Sequence, residues 1–204
     1  SAVWLAPDRA FSPIEPATLT AARARLQLPE RFVLFTGTLE PRKNVAGLLR
    51  AYRQWRDRAG HAPSLILAGS RGWLFDETQS LIHQLNLQDN VRWIDSPPAA
   101  DLVALYNAAS LCVLPSHYEG FGLTVLEAMA CGIPTLISDR GSLPEIAGGA
   151  SLVVDPDNVD ELAEALARLM DDEALRLDLR HKGFERVTEF SWDRCARETL
   201  AVYH

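Results

Sequence analysis

Short unbroken apolar runs alternate along this chain with longer stretches in which apolar residues return every three or four positions. The run RFVLFTG at 31–37 predicts a strand. Residues 44–59 follow with Val45, Leu48, Leu49, Tyr52 and Trp55 at helical spacing, and Asn44 stands where a helix N-cap belongs. The alternation continues with strands expected at 64–69, 91–94, 111–114, 134–137 and 151–154. Helices are expected between them at 76–85, 101–109 and 122–131. Three more helices, at 159–170, 173–187 and 192–203, close the chain, and a short one at 18–26 precedes the first strand. Residues 1–16 carry Pro7, Pro13 and Pro16 and read as an extended lead-in or linker.

Strands that are apolar on both faces must be covered on both faces, so the pattern predicts an α/β protein with a parallel sheet. Right-handed crossovers then give a doubly wound, Rossmann-like domain. In the common strand order the first and fourth strands are central neighbours, and a crevice opens beyond their carboxyl ends. The loops at that crevice are 36–44 and 115–122. The chain has 204 residues, enough for one such domain, and 48% of them are hydrophobic. A net charge of -7 argues against a nucleic-acid surface. Cys112, Cys131 and Cys195 are far apart and form no metal-binding pattern, so reduced thiols in a cytosolic protein are expected. No apolar run approaches the roughly 20 residues of a membrane span.

The residues of unusual chemistry fall in the two crevice loops. The second reads SHYEGFGLTVLEAMACGIP from Ser116. Gly120 and Gly122 let backbone approach a ligand, and the free N–H groups of the helix that follows suit a phosphate. A plain strand-to-helix turn would use the same glycines. Glu127 lies among apolar or small neighbours, where an ionised carboxylate needs a partner. Paired ribose hydroxyls would serve, and so would a backbone amide or an arginine. Glu119 precedes the helix and can face the same crevice, or be a solvated loop acid. In the first loop, Arg42 and Lys43 sit before a helix start, where cations oppose the helix dipole. A diphosphate would reverse that penalty, with Lys43 solvent-reachable and outside the core; a solvated surface pair is the plain alternative. Asp155-Pro-Asp157 resembles a metal-binding pair but fits a turn and cap ahead of Val159.

Together these residues resemble the donor-binding C-terminal domain of the group 1, or family 4, retaining glycosyltransferases of GT-B architecture. The Glu119–Glu127 spacing within its context is the most specific part, and TGTLEPRKN, LILAGSRGW and SDRGSLPEIAGGASLVVDPDNVDELAEAL extend the likeness over nearly the whole chain. The resemblance implies roles. Lys43, with Arg42, meets the donor phosphates, and Glu119 lies near the donor sugar; these three form the catalytic set. Gly37 and Thr38 border the phosphates, and the amides of Phe121, Gly122 and Leu123 cradle the diphosphate. Glu127 holds the ribose, and the loop after Trp93, beginning at Ile94, packs the base. No metal or other cofactor is implied, only a nucleotide-sugar donor linked to GDP or UDP. The style of the first two loops leans toward mannosyl or rhamnosyl transfer, hence GDP-mannose. Two departures stand out: Thr38 where many members have Arg, and Asp95 where many have Gly.

The resemblance also implies that residues 1–16 are the end of an interdomain linker and that 17–204 are the nucleotide-sugar domain. An N-terminal domain, absent here, would supply a glycan or lipid-linked acceptor. The expected setting is cytoplasmic, at the inner membrane face through peripheral association of the longer protein. Three other readings compete with this resemblance. A nicotinamide or flavin domain needs more glycines after the first strand than TGTLEPRKN offers. A GT-B epimerase or phosphorylase shares the fold but not this setting for Glu119 and Glu127. A non-catalytic nucleotide-sugar sensor would differ only in turnover.

Overall fold

The computed structural model describes residues 3–73 and 75–203. Positions 1, 2 and 204, which close the expected linker and domain, lie outside the described residues. Six strands form one all-parallel sheet in the order β3-β2-β1-β4-β5-β6. They are β1 (Phe32–Thr36), β2 (Ser64–Ala68), β3 (Val91–Ile94), β4 (Leu111–Leu114), β5 (Thr135–Ser138) and β6 (Ser151–Val154). The order reverses between β1 and β4, which places the switch point where the sequence pattern put it. The sheet is a doubly wound, Rossmann-like α/β fold.

The period of two along a strand divides the core. Val33 and Phe35 of β1, Leu65 and Leu67 of β2, and Val113 of β4 face one layer. That layer holds α2 (Val45–Ala59), α3 (Phe75–Gln84) and α7 (Val159–Asp171). Phe32, Leu34, Ile66, Cys112 and Leu114 face the other, which holds α4 (Ala99–Ala108), α5 (Leu123–Ala130) and α6 (Leu143–Ala147). Residues 33 to 35 of β1 are fully buried, which explains why the run carries no polar alternation. Cys112, Cys131 and Cys195 are unpaired and buried.

Outside these layers lie α1 (Pro16–Leu26), α8 (Glu173–Val187) and α9 (Trp192–Val202). α1 begins with Pro16 in its first turn, where a missing N–H costs nothing. Residues 3–15 have no regular secondary structure, yet they are packed. Trp4 stacks on Phe190 at 5.0 Å, the guanidinium groups of Arg186 and Arg194 lie 5.2 and 5.0 Å from its ring, and Phe11 meets Tyr106 edge-on at 5.7 Å. Two short elements escape the sequence pattern. α6 is a single turn, too short for a 3.6-residue period; its marks are Pro144 in the first turn and Gly148 at φ +57° past the end. Pro41–Lys43 is a 3₁₀ turn that carries the two cations.

Candidate active site

Strand ends and helix starts place Arg42, Lys43 and Glu119. β1 ends at Thr36 and the chain turns through Gly37 into the 3₁₀ turn. Asn44 then adopts φ +53°, and its side-chain oxygen accepts from the Gly47 N–H at 3.1 Å to cap α2. The Asn44 amide also donates to the Pro156 carbonyl at 2.8 Å, which fixes the loop to the far side of the sheet. The loop after β4 is tied to it directly: the His117 N–H donates to the Arg42 carbonyl at 2.8 Å, and Arg42 Nη1 donates to the Tyr118 carbonyl at 3.1 Å.

This interlock closes on Glu119. Its Oε1 accepts from Lys43 Nζ at 2.5 Å and from Ser116 Oγ at 2.7 Å, and its Oε2 accepts from Arg42 Nη1 at 3.1 Å. Glu119 is buried at 9% exposure and Lys43 at 7%. Burial pushes the carboxyl pKa up, but hydrogen bonds from Lys43 and Ser116 and the two nearby cations outweigh it. The net position lies below the usual glutamate range. Glu119 is therefore not a solvated loop acid, and Lys43, against the expectation, is buried rather than solvent-reachable. Two donors on one oxygen and a guanidinium on the other keep this acid ionised inside the protein. Arg42 remains half-exposed and has a second acid beside it, Glu40 at 2.6 Å.

Glu127 sits one helix turn into α5 and has a different setting. It borders a crevice of about 420 Å³ beyond the carboxyl ends of β1, β2 and β3, facing Gly37, Thr38, Ser96 and Pro97. The Tyr106 hydroxyl donates to its Oε2 at 3.2 Å and lies 2.8 Å from Thr36 Oγ1. Burial raises the Glu127 pKa, the Tyr106 hydrogen bond lowers it, and Asp8 of the packed lead-in raises it; the net is upward. The crevice depends on close backbone approach. A Cβ on Gly69 would fall 2.0 Å from the Gly37 carbonyl oxygen. Gly122, at φ +98°, is the N-cap of α5, has no side-chain cap, and is followed by a first turn without an acid.

Lys43 links the two sites. A Cβ on Gly37 would stand 3.6 Å from Lys43 Nζ, so the ammonium that holds Glu119 also lies close to a glycine of the crevice wall.

A family model described as glycosyl transferases group 1 matches residues 20–186. The chain belongs to the glycosyl transferases group 1 family. Among its relatives is the O-antigen chain mannosyltransferase B of Escherichia coli, 38% identical over 95% of this chain and 51% of that protein. Sucrose-phosphate synthase from Thermosynechococcus elongatus superposes with a TM-score of 0.84 at 32% identity, over 98% of this chain and 50% of that one. An Anabaena protein solved with UDP and glucose has a TM-score of 0.87 at 20% identity, over 100% of this chain and 56% of that one, a likeness of fold. The chain thus spans about half the length of the relatives it matches. Its sheet is the Rossmann-like, C-terminal type of the GT-B fold.

Within this group 1 domain the expected residues separate into groups. Arg42, Lys43 and Glu119 cluster, while Gly37, Thr38 and Glu127 share the crevice. Leu123 opens α5 behind Gly122, and the Phe121 ring turns away toward Phe190 at 6.4 Å. Ile94 packs into the core layer, and its carbonyl accepts from the Gly69 N–H; Ser96 and Pro97 line the crevice above it. Asp155 accepts from Arg140 at 2.8 Å and from the Asp157 N–H at 3.0 Å, so the Asp-Pro-Asp segment makes a turn, and Asn158 caps α7. Sequence reasoning missed Tyr106, Thr36 and Ser116. Tyr106 had a legible signal: a phenol on the apolar face of LVALYNA must find a hydrogen-bond partner once buried. Among the described residues no helix is long and apolar enough to cross a membrane.

Proposed function

We propose that this chain is the donor-binding domain of a retaining glycosyltransferase that uses a nucleoside-diphosphate sugar, without a metal. The observation that carries the reading is the position of Lys43, bonded to Glu119 and adjoining Gly37 of the Glu127 crevice. In this reading the nucleoside enters the crevice, its ribose hydroxyls donate to Glu127, and the base lies toward Ser96 and Pro97. The diphosphate then sits over Gly37 and the uncapped start of α5, where amides of Phe121, Gly122 and Leu123 meet it. Lys43 keeps Glu119 and offers its remaining N–H donors. Arg42, half-exposed, turns from Glu40 toward the phosphates. The chemical burden on these groups is to stabilise negative charge on the leaving diphosphate while the acceptor oxygen arrives on the same face. Glu119, held ionised, adjoins the donor sugar.

GDP-mannose is the first choice of donor and a UDP-sugar the second. The named mannosyltransferase relative supports the first, and the UDP complex of the Anabaena protein supports the second. The acceptor, a glycan or a lipid-linked glycan, would come through a further domain, with the longer protein working in the cytoplasm at the inner membrane face. Thermal melting with GDP, UDP and ADP, with and without EDTA, tests the donor reading. At a hundredfold excess over Kd a ligand adds about 2.7 kcal/mol. For a chain of this size that is a rise of roughly 5–10 °C. No rise with any nucleotide overturns the reading, and a rise abolished by EDTA overturns its metal-free form.

A further inference from the structure

A second cleft lies on the other side of the first loop, between the start of α2 and the length of α3. At about 600 Å³ it is larger than the nucleotide crevice. Its floor is apolar, with Leu39 and Val45 buried beneath it. Trp73 stands at its edge with 65% of its surface exposed. Arg50, Asp76, Glu77 and Gln84, all exposed, also line it, and among the described residues none of these four side chains is held by a hydrogen bond or an ion pair. Asp76 and Glu77 suit the first turn of α3 on electrostatic grounds. That does not account for a tryptophan left open to water, nor for Gln84 at the far end of the helix.

We propose that this cleft binds a neutral oligosaccharide, with Trp73 as the platform for one sugar ring. A pyranose has an apolar C–H face that fits an indole and an edge of hydroxyls that donate to carboxylates and amides. Two unpaired acids against one arginine disfavour phosphates and other anions. Arg50 in the same lining disfavours a cationic peptide. Position adds the functional sense: Pro41 and His117 line this cleft, and both belong to the loops that hold Glu119. A glycan lying here would have its end beside the proposed point of transfer. The proposal does not require the donor reading, because the two ligands occupy different clefts.

The test is saturation-transfer NMR and calorimetry with mannotetraose on the chain, run beside the nucleotide melting series. The expected result is saturable binding with Kd on the order of 1 mM, ring protons of one sugar receiving most of the transfer. Trp73→Ala should weaken it about tenfold or more. Trp73→Phe should retain part of the affinity, and any melting shift with GDP or UDP should stay at its wild-type size. Asp76→Asn with Glu77→Gln should weaken binding without removing the platform. Absence of saturable binding, an unchanged affinity in Trp73→Ala, or capture of an oligolysine peptide in place of the sugar overturns the proposal. A failed donor reading would appear separately, as wild-type protein that binds sugar but gives no nucleotide shift.

Discussion

Glu119 and Glu127 flank one helix start and both are buried, yet their pKa values move in opposite directions. Burial opposes the charge on both. Around Glu119 the protein answers with two cations and a hydroxyl, so the acid is ionised, partnered on both oxygens and nearly closed to solvent. Around Glu127 it answers with one phenol and leaves the other oxygen to the crevice. The first acid is fully partnered by its own chain. The second has acceptor capacity left over, which is what a hydroxyl-bearing ligand requires. Their linkage to stability has opposite sign. The pKa of Glu119 is depressed, so its contribution is present above the ordinary glutamate pKa and lost as pH falls through the folded value. The pKa of Glu127 is raised, so its contribution is present below the ordinary value and lost as pH rises through the folded one.

The largest expected effect comes from opening the closed site. Lys43→Ala leaves Glu119 buried with only Arg42 and Ser116, and breaking a buried pair from one side costs about 3–5 kcal/mol. Urea unfolding at neutral pH should show that loss, and it should shrink as pH falls and Glu119 protonates. Glu119→Gln should remove the part of the acid-limb pH sensitivity that Glu119 supplies, so that the cost of Lys43→Ala made on that background no longer changes with pH. A Lys43→Ala protein of wild-type stability would mean that the cluster is not the closed ion pair described here.

The open site should behave in the reverse way. Glu127→Gln keeps shape but replaces two accepting oxygens with one and adds an N–H that would face the hydroxyls of the proposed ribose. Nucleoside diphosphate affinity should fall by about 1.5–3 kcal/mol, roughly ten- to a hundredfold. Stability at neutral pH should stay level or rise, because a charge disfavoured by burial is gone. Calorimetry with GDP and UDP reads the first quantity and urea unfolding the second. Affinity that survives while stability drops would make Glu127 a structural acid and leave the crevice without its ribose anchor.

The contrast also marks what the sequence alone discloses. The alternating runs located all six strands to within a residue or two, because a parallel sheet buried on both faces leaves no room for polar alternation. The spacing of Glu119 and Glu127 placed both at the β1/β4 switch point. Their environments were not legible. The Lys43–Glu119 contact joins residues 76 apart, and a chain read locally sees two cations before a helix and one acid in a loop. The 3₁₀ turn that swings Lys43 inward is three residues long, below any period. The Tyr106 ring fits the apolar face of its helix, and its hydroxyl, aimed at Thr36 and Glu127, gives it a second role that no local pattern marks with a partner.

The smallest expected effect is also the most discriminating. Tyr106 is fully buried, and its hydroxyl is the one hydrogen-bond donor that offsets burial at Glu127 among the described residues. Tyr106→Phe removes a single oxygen from a packed ring, so the loss in stability should be modest, about 0.5–1.5 kcal/mol. Without that donor the Glu127 pKa should climb further above the usual range. Nucleotide binding that requires an ionised Glu127 should then lose its acid limb at higher pH than in the wild type, while affinity well above that limb changes by no more than a few-fold. A phenol that only filled space would lower the melting temperature and leave the pH midpoint of GDP binding where it was. Calorimetry across the acid range separates the two, and an unmoved midpoint would show that Tyr106 does not set the charge on Glu127.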